Sequence, residues 1–504
     1  MHKIFNIIFS RFVINFLIIV LQVAFIFMLV YYLNELSVMV YLITMLLGAV
    51  VGIIILADNG NPSFKIPWII LIIMFPLFGV MLYILNSKIW GRKEFNETKF
   101  ISEMYLDQDD EITKELGKHN KMVLGHAKYI FDNAGYPCHV NTDALYFPLG
   151  EDLFEDLLVE LKNAKKFIFM EFFIVQKGYM WDTILDILLK KVDEGVEVRF
   201  MYDDIGCIWK LPNNYYKELK KLGIKSLVFN RFIPVLSIVH NNRDHRKVVV
   251  IDGDVGYTGG INLADEYINI NSPFGHWKDT GIKIKGDAVK NLTMIFLDAW
   301  NTIKAEDIDY DNYLPTIKNV KSDGYFIPFD DNPMKPDQIG ENVYLNIINS
   351  AVDYVYITSP YLIITHELIT ALVSAAKRGV DVKIITPAIP DKWIIHAMTQ
   401  SYYPVLMDAG IEIYEYTPGF IHSKVFVSDD VVSVVGTINL DYRSLYHHYE
   451  NAIWIYSSEV IKNIKEDFIK TKNRCDLMDI EKHKKLPWYK RLVGAVAKIF
   501  APLM

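Results

Sequence analysis

Long uncharged stretches dominate the first 85 residues of the chain, whereas charged positions recur throughout the remainder. Three of these stretches, Phe12–Leu33, Ser37–Ala57 and Ile66–Leu85, contain no charged residue. Each has about the 20 residues that a helix needs to cross the hydrocarbon layer of a membrane. The pattern therefore predicts N-terminal transmembrane helices. Buried core helices are the alternative, and it is disfavoured because one core rarely hides three such segments so close together.

The sequence leaves the number and the orientation of the crossings open. Only Asn34-Glu35-Leu36 separates the first two stretches. Pro67 and Pro76 interrupt the third, so it forms either a kinked span or a re-entrant segment. Lysine and arginine are about equally divided between the two sides, and the positive-inside rule therefore does not decide the membrane face. We expect residues 1–92 to be a membrane anchor of two or three helices in a multi-pass cell-membrane protein.

After residue 92, short β-branched or aromatic runs alternate with amphipathic helical segments, which is typical of an α/β fold. The same order of strand, helix, Gly-Val turn and strand occurs twice. The elements of the two copies are a strand at 166–173, a helix at Trp181–Glu194 and a strand at 197–202, and then a strand at 354–361, a helix at His366–Arg378 and a strand at 381–385. Each copy predicts a right-handed crossover unit within a largely parallel or mixed sheet.

The hydrophobic N-terminus and the repeat together divide the chain into segments. An acidic, proline-containing stretch at residues 306–337 marks the boundary between the two repeats. The predicted segments are a membrane anchor at 1–92, a linker at 93–130, a first repeat at 131–320, a second repeat at 321–480 and a basic amphipathic tail at 481–504.

Composition narrows the class of protein. Hydrophobic residues make up 52% of the chain and charged residues 22%, which excludes a disordered chain. The formal net charge is −8, so no overall basic field recruits nucleic acid. The tail differs, because it combines six lysine and arginine residues with apolar positions on one helical face. That pattern predicts attraction to anionic lipid, or a helix docked on the protein's own surface.

Each half also carries one copy of the same polar motif. The motif begins with His-x-Lys, has an Asp after four intervening residues, and ends with Gly-x-x-Asn after six more. The two copies comprise His245, Lys247, Asp252, Gly259 and Asn262, and then His422, Lys424, Asp429, Gly436 and Asn439. Residues two apart on a strand share a face, so the histidine and lysine of each copy point the same way. The aspartate lies at an odd offset, which favours a supporting role. A returning strand then brings the glycine and asparagine near the first strand.

Two such motifs in two similar halves suit one shared site for a phosphoryl group. Lysine ammonium groups and asparagine amides donate hydrogen bonds to phosphoryl oxygens. One imidazole can attack phosphorus while the other protonates the leaving oxygen. The sequence shows neither a carboxylate cluster with metal-ligand spacing nor a cysteine pattern for zinc or disulfides. We therefore expect the lysines to supply the positive charge, without a metal or another cofactor.

The paired motifs resemble those of the phospholipase D superfamily. The resemblance implies two αβ repeats that share one active site and a phosphohistidine intermediate. It implies His245 as the nucleophile and His422 as the general acid and then base. It further implies that a carboxylate downstream of each motif orients a histidine, and the matching residues are Asp279 and Glu450. The site residues implied by the resemblance are His245, Lys247, Asp252, His422, Lys424 and Asp429 for catalysis, with Asn262 and Asn439 for substrate.

Further segments are similar to those of bacterial cardiolipin synthases. They are 61–79, 202–206, 262–267, 416–422, 439–444 and 502–504. This resemblance implies transfer of a phosphatidyl group between two phosphatidylglycerol molecules, with anionic membrane lipids and no nucleic acid as partners. Hydrolysis by a membrane-bound phospholipase D or phosphodiesterase stays open, because only the second nucleophile differs. A non-catalytic scaffold is disfavoured, since it would be expected to have lost a motif histidine or lysine. The preferred acceptor lipid and the oligomeric state are not decided by the sequence.

Overall fold

The computed structural model describes residues 38–86, 110–231, 242–306, 309–318 and 320–503, with scattered positions between residues 20 and 32. The predicted span Phe12–Leu33 and the first part of the predicted linker, residues 93–109, thus lie largely or wholly outside the described residues. The chain divides into two compact units. One comprises Met1–Asn96, Arg231–Asn242 and Ile499–Met504, and the other comprises Glu97–Asn230 and Arg243–Lys498.

Helices and strands alternate through most of the second unit. The helices of the described residues are α1 (Val38–Ala57), α2 (Pro62–Met74), α3 (Pro76–Asn86), α4 (Asp110–His119), α5 (Lys121–Ala134), α6 (Gly150–Asn163), α7 (Tyr179–Asp193), α8 (Asp204–Cys207), α9 (Tyr215–Lys221), α10 (Val289–Ile303), α11 (Ile339–Ser350), α12 (His366–Lys377), α13 (Trp393–Gln400), α14 (Tyr403–Met407), α15 (Tyr442–Tyr446), α16 (Val460–Lys472), α17 (Ile480–Lys484) and α18 (Trp488–Phe500). The strands are β1 (Thr142–Phe147), β2 (Phe167–Phe172), β3 (Glu197–Asp203), β4 (Lys225–Phe229), β5 (Lys247–Ile251), β6 (Val255–Gly259), β7 (His276–Lys278), β8 (Gly281–Gly286), β9 (Tyr325–Asp331), β10 (Tyr354–Thr358), β11 (Leu362–Ile363), β12 (Asp381–Pro387), β13 (Glu412–Tyr416), β14 (Gly419–Ile421), β15 (Val425–Ser428), β16 (Val432–Gly436), β17 (Leu440–Asp441), β18 (Glu450–Tyr456) and β19 (Cys475–Met478).

In the first unit, α2 and α3 form a helical hairpin instead of one continuous helix over Ile66–Leu85. Pro76 begins a new helix because it has no N–H to continue the preceding one. The rings of Trp68 and Tyr83 pack across the hairpin with centroids 5.6 Å apart. The two backbones approach so closely that a Cβ on Gly79 would lie 2.7 Å from the Cα of Ile72. Within the described residues, no helix combines the length and the apolar character of a membrane span.

The second unit contains two sheets with the same strand order, which confirms the predicted repeat. The first sheet runs β1-β8-β6-β5-β2-β3-β4 and the second runs β9-β18-β16-β15-β10-β12-β13, with β19 added at its edge. In each sheet, the strands joined by the predicted crossover helix are parallel. The strands that carry the motifs are antiparallel to their neighbours. Both sheets are therefore mixed.

The two motif hairpins occupy the middle of their sheets. Val249 pairs with Tyr257 in the first hairpin, and Val425 pairs with Val435 in the second. Every residue of β5, β6, β15 and β16 is buried. Strands covered on both faces read as continuous apolar runs rather than alternating ones, which is the pattern seen after each motif lysine.

Residues 110–134 form α4 and α5, although most of them were predicted to belong to a linker. Helix α5 buries one face that includes Val123, Ala127 and Ile130. The ring of His126 also contacts Trp454 of the second sheet, with centroids 6.4 Å apart. These helices are therefore part of the second compact unit.

Strands of the two repeats also pair with each other next to the motif histidines. Strand β7 of the first repeat pairs in parallel with β14 of the second, and the last partners are Lys278 and Ile421. The N–H of His422 donates to the carbonyl of Lys278 at 2.7 Å, and the N–H of His245 donates to that of Tyr449 at 2.8 Å. The backbone of each motif histidine is therefore hydrogen-bonded to a residue of the other repeat, and the next residue along the chain is Asp279 or Glu450.

Candidate active site

Glu450 of the second repeat binds the histidine of the first. The Nδ1 atom of His245 lies 2.9 Å from both carboxylate oxygens of Glu450. The hydroxyls of Ser444 and Thr437 donate to the same carboxylate. Burial raises the pKa of Glu450, but the charge and hydrogen bond of His245 outweigh it and hold this pKa well below its ordinary value. The carboxylate is therefore an anion that can only accept.

Asp279 of the first repeat binds the histidine of the second in the same way. Its Oδ2 lies 2.7 Å from Nδ1 of His422, and the N–H of Thr280 donates to Oδ1 at 2.8 Å. Burial raises the pKa of Asp279, but the charges of His422 and Lys424 lower it overall. A Cβ on Gly260 would lie 2.0 Å from Oδ1 of Asp279, so the carboxylate takes the space of a side chain at this position.

The two carboxylates thus cross between the repeats. Asp279 and Glu450, the predicted histidine-orienting residues, each lie beside a motif histidine. Each one, however, binds the histidine of the opposite repeat, because the pairing of β7 with β14 and of Asp244 with Tyr449 brings those backbones together. Each repeat therefore depends on the other for the carboxylate that binds Nδ1 of its histidine.

Burial favours the neutral form of both histidines and outweighs the paired carboxylates, which favour the charged form. Burial lowers the pKa of His245 well below its ordinary value, and burial with the charge of Lys424 lowers that of His422 to about 4. Each anionic carboxylate accepts at Nδ1, which places the ring proton on Nδ1; at His422 the Nζ of Lys424, also 2.8 Å from Nδ1, competes as a donor for that atom. This tautomer leaves a lone pair on Nε2, where an imidazole acts as a nucleophile or as a base.

The motif lysines are buried cations beside these rings. The Nζ atoms of Lys247 and Lys424 donate to the carbonyls of His245 and His422, respectively. Burial lowers the pKa of Lys247 to about 8 and that of Lys424 to about 7. The charges of both crossed carboxylates favour the ammonium form of each lysine, whereas the charge of Lys247 disfavours the ammonium form of Lys424. The charged groups of the two repeats therefore interact with one another. An anionic ligand would stabilise the ammonium forms of both lysines.

The motif asparagines are buried at the same place in each repeat. Asn262 accepts a hydrogen bond from the N–H of Ile174 at 2.9 Å and donates to the hydroxyl of Tyr267 at 2.7 Å. Among the described residues, the Asn262 amide donates no second hydrogen bond. The Oδ1 atom of Asn439 is buried and has no hydrogen-bond partner within the described part of the chain. Both positions remain predicted substrate contacts.

The motif aspartates bind backbone N–H groups, which fits the supporting role that their odd offset favours; their place in the catalytic set stays a prediction. The Asp252 carboxylate accepts the N–H groups of residues 165, 166 and 167 at 2.8, 2.7 and 3.0 Å. Asp429 accepts those of residues 352, 353 and 354 at 2.8, 2.9 and 2.7 Å. Each aspartate follows its motif strand and lies five residues beyond the lysine, which corresponds to about 17 Å of extended chain. They secure the starts of β2 and β10 rather than the histidines.

Several residues of the site were not predicted from the sequence. Thr437 and Ser444 occupy positions inside the recognised motifs, but the motif pattern assigned them no role. Asp203, left outside the catalytic set, accepts from Arg243 at 2.8 Å and from the N–H of Gly206 at 2.9 Å. It therefore caps α8 and holds the segment that leads to His245.

Comparisons with known proteins agree with this architecture. A family model described as "Cardiolipin synthase, PLD-like domain" matches residues 157–296 and 344–472, which is more than half of the chain. A Streptococcus mutans protein of uncharacterised function is 44% identical over 448 residues, covering 87% of this chain and 96% of its own length. A cardiolipin synthase of Halalkalibacterium halodurans is 31% identical over 464 residues, covering 90% of this chain and 92% of its own.

A solved structure also shares the fold. The phosphatidylserine synthase of Haemophilus influenzae superposes with a TM-score of 0.57 at 14% identity, covering 76% of this chain and 97% of its own. The paired sheets, the shared site and the family match lead to the same assignment. The chain belongs to the family of cardiolipin synthases with phospholipase D-like domains.

Proposed function

We propose that the protein is a cardiolipin synthase, which transfers a phosphatidyl group between two phosphatidylglycerol molecules. The observation that carries the proposal is the pair of crossed histidine–carboxylate contacts, His245 with Glu450 and His422 with Asp279, beside two buried lysines. This arrangement provides a nucleophile, an acid–base group and two cations in one site. Similarity to cardiolipin synthases over most of the chain supports a lipid acceptor.

In the first step, Nε2 of His245 attacks the phosphorus of one phosphatidylglycerol. The phosphorus–nitrogen bond forms as the bond to the glycerol oxygen breaks, and His422 donates a proton to that oxygen. His422 is neutral in the free protein, but the incoming phosphodiester anion favours its protonated form. The result is a phosphatidyl-histidine and free glycerol.

In the second step, the neutral His422 takes a proton from a hydroxyl of a second phosphatidylglycerol. That oxygen attacks phosphorus, the bond to His245 breaks and cardiolipin is released. Glu450 accepts from Nδ1 of His245 throughout and stabilises the positive charge that develops on the ring. Since the reaction exchanges one phosphodiester for another, it needs no external energy source.

Lys247 and Lys424 are proposed to bind the phosphoryl oxygens. Burial lowers the pKa of each lysine even though the charges of Asp279 and Glu450 raise it, so each ammonium group is costly until a further anion binds. A phosphodiester supplies that anion, and the extra negative charge of the transition state is stabilised further. Asn262 and Asn439 would add amide donors to the same oxygens.

We also propose that the first unit anchors the enzyme in the cell membrane. Large apolar side chains on helix α1, such as Leu46 at 68% exposure, face outward, and an exposed apolar surface of this kind is the observation that supports the proposal. Helices α2 and α3 have 13 and 11 residues, so each is about 20 Å long or less. A hairpin of this size fits a re-entrant segment better than a crossing.

The tail helix α18 is proposed to contact anionic lipid. One of its sides packs on the protein, where a Cβ on Gly494 would lie 2.3 Å from the carbonyl oxygen of Ala397. Trp488, Leu492 and Val496 are exposed, with Trp488 at 71%. An exposed apolar face next to basic residues is typical of a helix at a lipid interface. Docking and lipid binding are therefore compatible in this helix.

The acceptor distinguishes a synthase from a hydrolase. Purified protein would be incubated in vesicles with phosphatidylglycerol alone, labelled separately in its acyl chains and its head group. The synthase produces cardiolipin and glycerol, and the His245→Asn variant produces neither. Phosphatidic acid and glycerol without cardiolipin would overturn the proposal in favour of a phospholipase D that uses water.

A further inference from the structure

A third imidazole, His448, lies in the site without a role in these steps. Its side chain is only 8% exposed. Its ring centroid is 5.3 Å from that of His245, and its Nδ1 is 3.5 Å from Oε1 of Glu450. Neither ring nitrogen has a hydrogen-bond partner among the residues that the structure describes. A buried polar ring of this kind normally has a partner.

The other repeat has an apolar residue at the equivalent position. Trp277 precedes Asp279 by two residues, as His448 precedes Glu450, and its ring packs 5.5 Å from that of His422. The indole nitrogen of Trp277 is likewise buried without a partner among the described residues, but it can only donate, whereas an imidazole nitrogen with a lone pair can bind a metal ion. Because the second repeat has a histidine where the first has a tryptophan, nitrogen ligand atoms lie next to His245.

Three side chains on the His245 side of the site offer ligand atoms that are close enough together to bind one metal ion. His245, His448 and Glu450 each offer a ligand atom, and the three atoms lie within 4.8 Å of one another. Two imidazoles and one carboxylate form a ligand set used by zinc, with the fourth position left open. We infer that His245, His448 and Glu450 form an inhibitory binding site for Zn²⁺ or a similar transition-metal ion.

Inhibition follows from the tautomer of His245, and this step rests on the proposed function. A metal bound at Nδ1 requires the proton there to leave, and the neutral ring then carries its proton on Nε2. Nε2 no longer has a lone pair with which to attack phosphorus. Bonds of about 2.1 Å require side-chain shifts of roughly 1 Å, and Mg²⁺ is disfavoured because it prefers oxygen ligands.

Binding is tested on full-length protein in detergent by calorimetric titration with Zn²⁺ in the presence of Mg²⁺. The His448→Asn variant removes one ligand, and His447→Asn is the matched control because it changes the adjacent histidine, which is outside the ligand set. We expect wild type and His447→Asn to bind one equivalent of Zn²⁺ more than His448→Asn. Equal stoichiometry and affinity in all three proteins would overturn the inference.

Inhibition is tested in the cardiolipin assay with the same proteins. Zn²⁺ should inhibit wild type and His447→Asn, EDTA should reverse it, and His448→Asn should need at least about tenfold more Zn²⁺. Thermal melting checks that the variant is folded, and His448→Gln replaces it if it is not. Since calorimetry needs no turnover, a protein that binds the extra Zn²⁺ but makes no cardiolipin would contradict the proposed function and leave the metal site standing.

Discussion

Replacement of Glu450 by glutamine tests whether the crossed carboxylate controls catalysis. The Glu450→Gln substitution keeps the size of the side chain but removes the charge that faces Nδ1 of His245 at 2.9 Å. The amide also offers N–H groups where only acceptors are wanted, so it favours the wrong tautomer of the imidazole. We therefore expect the rate of the chemical step to fall while substrate binding changes little.

The size of the effect follows from the lost interaction between the carboxylate and the charge that develops on His245. For charge centres roughly 4 Å apart at an effective dielectric constant of about 20, this interaction is worth about 4 kcal/mol. A loss of that size corresponds to a decrease in kcat of about 1000-fold. KM should change less than threefold or so, because Glu450 binds the histidine and not the phosphoryl group.

The assay measures cardiolipin formation from labelled phosphatidylglycerol, with Asp429→Asn as the control variant. Asp429 accepts three backbone N–H groups, so this substitution should cost about 2–4 kcal/mol of unfolding free energy and leave kcat of the folded protein within a few fold. Chemical denaturation measures that loss. A Glu450→Gln enzyme with kcat within tenfold of wild type would refute the reasoning.

Two further predictions concern the other carboxylate and the lysines. Gly260→Thr places a side chain where Oδ1 of Asp279 lies, so kcat should fall by at least about 100-fold while the circular dichroism spectrum is unchanged. The buried lysines have pKa values of about 7 and 8, so they lose their charge as pH rises, and kcat/KM should decrease from pH 7 to 9. Lys424→Arg should shift this decrease to higher pH in a pH–rate profile, and an unshifted profile would contradict the assignment. The unfolding free energy of wild type should instead rise with pH over the same range, because the unfolded lysines bind the protons that the folded ones have lost.

The repeat and the main site residues could be predicted because their signals are local. A strand, a crossover helix and a Gly-Val turn each show in a short window, and identical motif spacing placed His245 and His422 at matching positions. The antiparallel return of β6 and β16 also follows from short turns. These features need no knowledge of how the two halves meet.

The remaining features depend on contacts between segments far apart in the chain. Glu450 lies 205 positions from His245, and only the pairing between the repeats brings them together. The Asp252 carboxylate likewise accepts from backbone N–H groups some 85 positions earlier in the chain. The split of Ile66–Leu85 at Pro76 was one of two alternatives that hydropathy alone could not separate. His448 carried no signal, since a lone histidine acquires a role only through its neighbours.

The central claim is that the phosphatidyl group passes through His245. The most direct measurement is to quench the enzyme with alkali during turnover of radiolabelled phosphatidylglycerol and to map the labelled peptide by mass spectrometry. We expect label on the peptide that contains His245, and none in the His245→Asn variant. Label on the His422 peptide instead, or no protein-bound label from an enzyme that forms cardiolipin at its normal rate, would contradict it.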